Sequence, residues 1–168
     1  MSEEYLLGID IGTSACKTAL FAKDGKVKAS SSRDYPVYYP KPGWAEQNPD
    51  EWWEAVCDSI KKVLASGGVR PAQIAGIGID GQSWAAIAVD KDGEVLANTP
   101  IWMDTRAQSV CDRVNREIGA DEIFGLCGNM LRPSVCPYSG RDQMLHQYPG
   151  SGVRLYGISG AGVRGIVR

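Results

Sequence analysis

The chain has no GxxxxGK[ST] loop, no CxxC pair and no run of about 18 apolar residues. The first absence argues against P-loop nucleotide chemistry. The second argues against paired-cysteine metal or redox sites, and the third against an apolar membrane-spanning helix. The N-terminus also lacks the basic-then-apolar order of a secretory signal. A net charge of −2 supplies no positive excess for nucleic acid or an anionic membrane surface. The five cysteines (16, 57, 111, 127 and 136) are scattered, so most are expected to serve as small core hydrophobes. A reduced, metal-poor, cytoplasmic protein is the simplest reading. At 168 residues, one domain or one and a fraction can bury a real core.

What is present begins with YLLGIDIGTSACKTALF. Tyr5 to Ile11 reads as a nearly continuous apolar strand, interrupted by Asp10. Burying an unpaired carboxylate there would cost several kcal/mol. Gly12, Thr13 and Ser14 form a small-residue turn, and Ala15 to Ala22 reads as the returning strand. The turn's amides and hydroxyls can cradle phosphate oxygens, and Asp10 can hold a hydrated Mg²⁺. Alternatively, Asp10 simply bonds the turn amides.

Asp24-Gly25 signals a second tight turn, into a third strand from Lys26 to about Tyr39. A Pro/Gly loop then presents Trp44, Glu46 and Gln47. Pro49 and Asp50 open a helix, with Asp50 the expected N-cap. Trp53, Val56, Ile60, Val63 and Leu64 recur at helical spacing until Gly67-Gly68. Trp52 and Trp53 are both expected in packing contacts. Further strands are expected at Ile74 to Asp80, Trp84 to Val89 and Val95 to Ile101, and a second helix at Thr105 to Ile118. The order β-β-β-α-β-β-β-α implies a mixed α/β fold.

From about Pro133 this patterning fails. Residues 136–168 hold seven glycines, and residues 137–168 carry four arginines against the single Asp142. Residues 134–168 are thus an atypical Gly/Arg-rich tail, either a flexible basic segment or sequence foreign to the fold, such as a frame-shifted end. GAGVRG at 160–165 formally matches GxGxxG, but the helix and downstream acid that motif needs do not follow it.

Four ordered segments, GIDIGTSACKTALF, YPKPGWAEQNPDEWW, GIGIDGQSWAAIAVDKDGEVL and PIWMDTRA, resemble the FGGY carbohydrate kinases, and xylulokinases among them. The resemblance spans about residues 5–133. It implies an N-terminal part of an actin-like, ribonuclease H-like ATPase domain, and ATP-dependent phosphorylation of D-xylulose or a related ketose to the 5-phosphate. The partners implied are ATP with Mg²⁺ and a small-molecule sugar, with no nucleic acid or membrane; full-length relatives can dimerise. The glycerol kinase pattern fits less well, because the sugar-side strand reads DGQSW.

The resemblance gives Asp10 the role of organising the metal through water, with Gly12, Thr13 and Ser14 near the phosphates. Lys17 either adds a charge there or is an outward strand lysine. Gln82, Ser83 and Trp84 face the sugar; Trp84 stacks on it or packs in the core. Ser83-Trp84 stands where many xylulokinases have Met-His, which leaves the sugar open. Asp104 bonds sugar hydroxyls, caps the following helix, or both. Arg106 assists it or serves as an ion-pair partner. Glu46 ties the loop over the pocket or reaches into it. In this family the proton-accepting Asp and the adenosine pocket lie further along than 168 residues. The chain alone is therefore expected to be inactive, a non-catalytic fragment or an interaction module with a Gly/Arg tail being the other classes.

Overall fold

The computed structural model describes residues 3–83, 85–133, 154–159 and 162–166. The chain forms two compact units: Met1–Val37 with Pro49–Gln82, and Tyr38–Asn48 with Ser83–Arg168.

The first unit holds β1 (Tyr5–Ile11), β2 (Ala15–Ala22), β3 (Val27–Asp34), α1 (Pro49–Gly67) and β5 (Ile74–Gly81), the label β4 going to a short strand of the second unit. Its sheet runs β3-β2-β1-β5. The first three strands form an antiparallel meander, and β5 lies parallel to β1. The Asp24-Gly25 signal is borne out: Gly25 adopts φ +84°, and Asp24 accepts the Lys26 amide at 3.1 Å. β3 stops at Asp34, short of the expected Tyr39, because Pro36 cannot donate to the ladder.

Alternation along the strands makes two faces. Leu7, Ile9, Cys16, Thr18 and Leu20 point to the face that packs against α1. α1 starts at Pro49, so Asp50 lies within the first turn and is not its cap. The helix buries Trp52, Ala55, Val56, Ser59 and Val63, whereas Trp53 is 69% exposed. The buried stripe is therefore turned by about one residue from the expected one. A polar pin accounts for that rotation: the Ser59 and Thr18 hydroxyls lie 2.7 Å apart, both fully buried, and Ser59 also donates to the Val56 carbonyl. Full burial of a side chain such as Leu7, Leu20 or Val63 stabilises by about 1.5–3 kcal/mol.

The second unit contains β4 (Glu46–Gln47) paired with β7 (Thr99–Pro100), then α2 (Gln108–Ile118) and α3 (Ala120–Cys127). The expected strand from Val95 to Ile101 shrinks to β7 plus a single bridge between Val89 and Val95. The second helix begins three residues later than expected, and Gly119 at φ +101° splits α3 from it. β6 (Ala85–Val89) pairs with β8 (Arg154–Ser159), which pairs with β9 (Gly162–Ile166). Part of the Gly/Arg-rich segment therefore forms two paired strands, and residues 162–165 of GAGVRG lie in β9, not at a helix start. Cys16 and Cys111 are buried as expected, Cys57 is half-buried and Cys127 exposed; Cys136 lies outside the described residues. Among the described residues no helix is long and apolar enough to cross a membrane.

Candidate active site

In the first unit, the hairpin between β1 and β2 is closed by the Gly12 amide donating to the Ala15 carbonyl at 3.0 Å. A Cβ on Gly12 would meet that carbonyl oxygen at 3.2 Å, a tight approach that favours glycine in the turn. The Tyr35 hydroxyl donates to the Gly12 carbonyl. Burial, then the neighbouring Cys16 and Asp10, hold the Tyr35 phenol well above its ordinary pKa. The phenol therefore stays protonated and keeps the turn anchored.

Asp10 stands opposite Lys17 on β2 and beside Asp80 on β5. Ser32 of β3 is paired with Lys17. One row across the sheet thus reads Ser32, Lys17, Asp10, Asp80. All four side chains are exposed on the face turned away from α1. They line a groove of about 730 Å³ floored by Gly8, Ala19 and Gly78. The Asp10 carboxylate makes no hydrogen bond to the turn amides, so the alternative in which it merely stabilises the turn is not what the hairpin does. Asp10 and Lys17 form no ion pair within 4 Å.

Gln82 closes the same end of the sheet. Its amide donates to the Ile11 carbonyl at 2.8 Å, and the Thr13 hydroxyl reaches its Oε1 at 3.4 Å. The structure therefore gathers Asp10, Gly12, Thr13, Lys17 and Gln82 at the carboxyl ends of the parallel strands, with exposed Ser14 on the turn. In open α/β sheets this is where ligands bind. A carboxylate, a hydroxyl-bearing turn and a lysine form a donor set that suits a hydrated hard cation and phosphate oxygens.

In the second unit, Asp104 is 5% exposed and both its oxygens are engaged. Oδ1 accepts the Arg106 amide and Nε at 2.9 and 2.8 Å. Oδ2 accepts the Ala45 amide and Arg106 Nη2, each at 2.7 Å. Arg106 Nη2 also meets Glu46 Oε1 at 2.6 Å, and the guanidinium lies 3.7 Å from the Trp44 ring centroid. Burial opposes the charge on Arg106, but the hydrogen bonds it donates to Asp104 and Glu46 outweigh that and raise its pKa. Thr105 adds two bonds to the Gly43 carbonyl. Asp104 does not cap α2, whose N-cap is Ala107. The contacts favour the ion-pair alternative for Arg106: the triad ties the Trp44–Gln47 loop to the turn before α2. Ser83 is half-buried at the start of this unit, and Trp84 lies outside the described residues.

Sequence reasoning passed over Ser32, Tyr35 and Asp80. Asp80 lies near the end of an apolar strand as Asp10 does, a signal that could have been read; Ser32 and Tyr35 reach the site only through strand pairing and a long-range hydrogen bond.

Comparison with known proteins bears on the family and the fold. Residues 5–138 match the model of the FGGY family of carbohydrate kinases, N-terminal domain. A xylulose kinase of Bacillus subtilis is 37% identical over 128 residues, covering 76% of this chain and 26% of that protein. A glycerol kinase of Thermococcus gammatolerans is 36% identical over 126 residues, covering 75% and 25%. The crystal structure of a gluconate kinase from Lactobacillus acidophilus superposes with a TM-score of 0.67 at 32% identity, covering 73% and 24%. The chain thus spans about a quarter of the length of these relatives. The likeness bears out the expected actin-like α/β class. It also corrects one expectation, since glycerol kinases match as well as xylulose kinases do.

Proposed function

Because the chain belongs to the FGGY family of carbohydrate kinases, we propose that it is the N-terminal part of an ATP-dependent sugar kinase, in which the β1–β2 hairpin faces the transferring phosphates. The observation that carries this reading is the unpaired Asp10 carboxylate beside the Gly12–Ser14 turn, with Lys17 across from it. Phosphoryl transfer needs little covalent help from a protein; positioning and charge neutralisation do most of the work.

Asp10 would hold Mg²⁺ through water, and the ion would neutralise phosphate charge there. The amides and hydroxyls of Gly12, Thr13 and Ser14 bind phosphate oxygens, and Lys17 adds a positive charge on the same face. Tyr35 keeps the turn in shape through the Gly12 carbonyl. The family resemblance assigns Gln82, Ser83 and Trp84 to the acceptor. The resemblance also assigns Asp104 and Arg106 to sugar binding, and their ion pairs, with Glu46, hold the Trp44–Gln47 loop. We take the acceptor to be a ketose, D-xylulose first, phosphorylated at the 5-hydroxyl; glycerol is the competing acceptor. The setting is cytoplasmic.

In the full-length kinase carrying this region, ATP consumption should depend on added acceptor, and Asp10→Ala should abolish it. Running D-xylulose, glycerol and gluconate in parallel assigns the acceptor. Turnover indifferent to acceptor, or surviving Asp10→Ala, would falsify the proposal. The 168-residue chain alone should show negligible turnover.

A further inference from the structure

We propose that Gln82 is a positioning residue for the Gly12–Ser14 turn, steering the proton of the Thr13 hydroxyl, an inference that rests on the phosphate-side reading of the hairpin. The resemblance alone gives Gln82 to the acceptor; its contacts give it to the other substrate. The Thr13 hydroxyl donates to Gln82 Oε1 at 3.4 Å, although the two residues lie 69 apart in sequence. The backbone beside that bond is closely fitted. β5 runs parallel to β1 with Gly81 beside Ile11, and the Gln82 amide donates to the Ile11 carbonyl at 2.8 Å. A Cβ on Gly81 would meet the same carbonyl oxygen at 3.2 Å and the Ile11 Cβ at 3.4 Å. The Gln82 side chain is thereby held level with the turn that follows Ile11.

The backbone of the turn is set by a different residue. The Tyr35 hydroxyl donates to the Gly12 carbonyl, and the Tyr35 amide donates to the Ser14 carbonyl at 3.3 Å. In planar trans peptides the N–H that follows each carbonyl points the opposite way, so these bonds aim amides and not side chains. The Thr13 hydroxyl has one proton to donate and two lone pairs that accept. While its proton lies on Gln82 Oε1, a phosphate oxygen does not receive it. A carboxamide resolves this conflict and a carboxylate does not. A half-turn of the Gln82 amide group replaces Oε1 with Nε2, which donates to Thr13 Oγ1. The hydroxyl then accepts from Gln82 and gives its own proton to the phosphate, and hydrogen bonds aligned in such a chain strengthen one another. No charge is added beside the phosphates in either orientation. Gln82 is also the last residue of the first unit, with Ser83 opening the second. One peptide bond therefore links the Thr13 contact to the segment that the resemblance gives to the acceptor.

The test uses the full-length kinase carrying this region, with ATP and acceptor varied separately. Gln82→Glu is nearly isosteric and still accepts from Thr13, but it cannot donate back. It should raise KM for ATP by about tenfold or more and leave KM for the acceptor within about twofold. Thr13→Val should raise KM for ATP as well, and Thr13→Ser, which keeps the hydroxyl, should restore most of it. In the Thr13→Val background the Gln82→Glu penalty should shrink by about fivefold or more, to what its added charge contributes alone. Equal penalties in the two backgrounds overturn the steering role and leave the phosphate-side reading standing. If Gln82→Glu fails to fold by circular dichroism, Gln82→Met decides, with KM for ATP expected to rise about threefold or more. A Gln82→Met enzyme that changes KM for the acceptor and not for ATP returns the residue to the acceptor and overturns the proposal. Thr13→Val without effect on KM for ATP overturns both this inference and the reading beneath it.

Discussion

Arg106→Met should destabilise the second unit by about 3–5 kcal/mol, the usual cost of removing one partner from a buried ion pair. The magnitude follows from burial: the side chains of Arg106, Asp104 and Glu46 are 9%, 5% and 14% exposed. Taking away the guanidinium strands two carboxylates that water barely reaches. Asp104 would keep only the backbone amides of Ala45 and of position 106, and Trp44 would lose a stacking partner worth about 0.5–2 kcal/mol. These contributions overlap and do not add. Against a total stability of about 5–15 kcal/mol, the loss would free the Trp44–Gln47 loop. Urea unfolding and hydrogen exchange at the Ala45 amide would read it. The triple variant Arg106→Met, Asp104→Asn, Glu46→Gln should regain much of the loss, because the stranded charges are gone. The Arg33–Glu54 pair, 39% and 64% exposed, is the internal control and should be worth less than about 1 kcal/mol. An Arg106→Met cost below about 1 kcal/mol, matching that control, would refute the reasoning.

Other consequences follow from the first unit. Tyr35→Phe should cost about 1 kcal/mol at neutral pH through the lost bond to Gly12. The raised phenol pKa means Tyr35 contributes stability below about pH 10 that is lost as pH climbs further, so the variant should show a flatter alkaline limb in a pH-dependent melt. Trp52→Ala should cost about 3–5 kcal/mol, yet Trp53→Ala less than about 0.5; equal effects in chemical denaturation would contradict the observed helix rotation. Ser59→Ala should cost about 1–3 kcal/mol by leaving the buried Thr18 hydroxyl without its close partner. Adding Thr18→Val should recover part of that loss, and its failure to do so would remove the pin from the account.

The legible parts were those set by neighbours in the chain. Asp24-Gly25, the Gly12–Ser14 turn and the Pro49 and Gly67-Gly68 boundaries of α1 each carry local chemistry, and the family resemblance rested on the same stretches. The illegible parts depend on distant partners. Two adjacent tryptophans satisfy a helical period about equally well, and only the Ser59–Thr18 contact with β2 decides which one is buried. Asp104 and Arg106 carry the chemistry of sugar ligands or of a cap. Their engagement with Ala45, Glu46 and Trp44 spans some sixty residues, which no local pattern encodes. The start of α2 moved for the same reason, since Thr105 is held by Gly43. The end of α2 was legible, since it stops at Ile118 as expected, with Gly119 at φ +101° just beyond.

The parallel seam between β1 and β5 also bears on how the sheet assembles. The meander of β1, β2 and β3 closes through short turns, whereas the Thr13–Gln82 contact joins residues 69 apart in sequence. Such non-local pairings carry the larger loop-closure entropy and are formed slowly. β5 should therefore dock onto a hairpin already made, and its amides should exchange with solvent before those of β1 and β2.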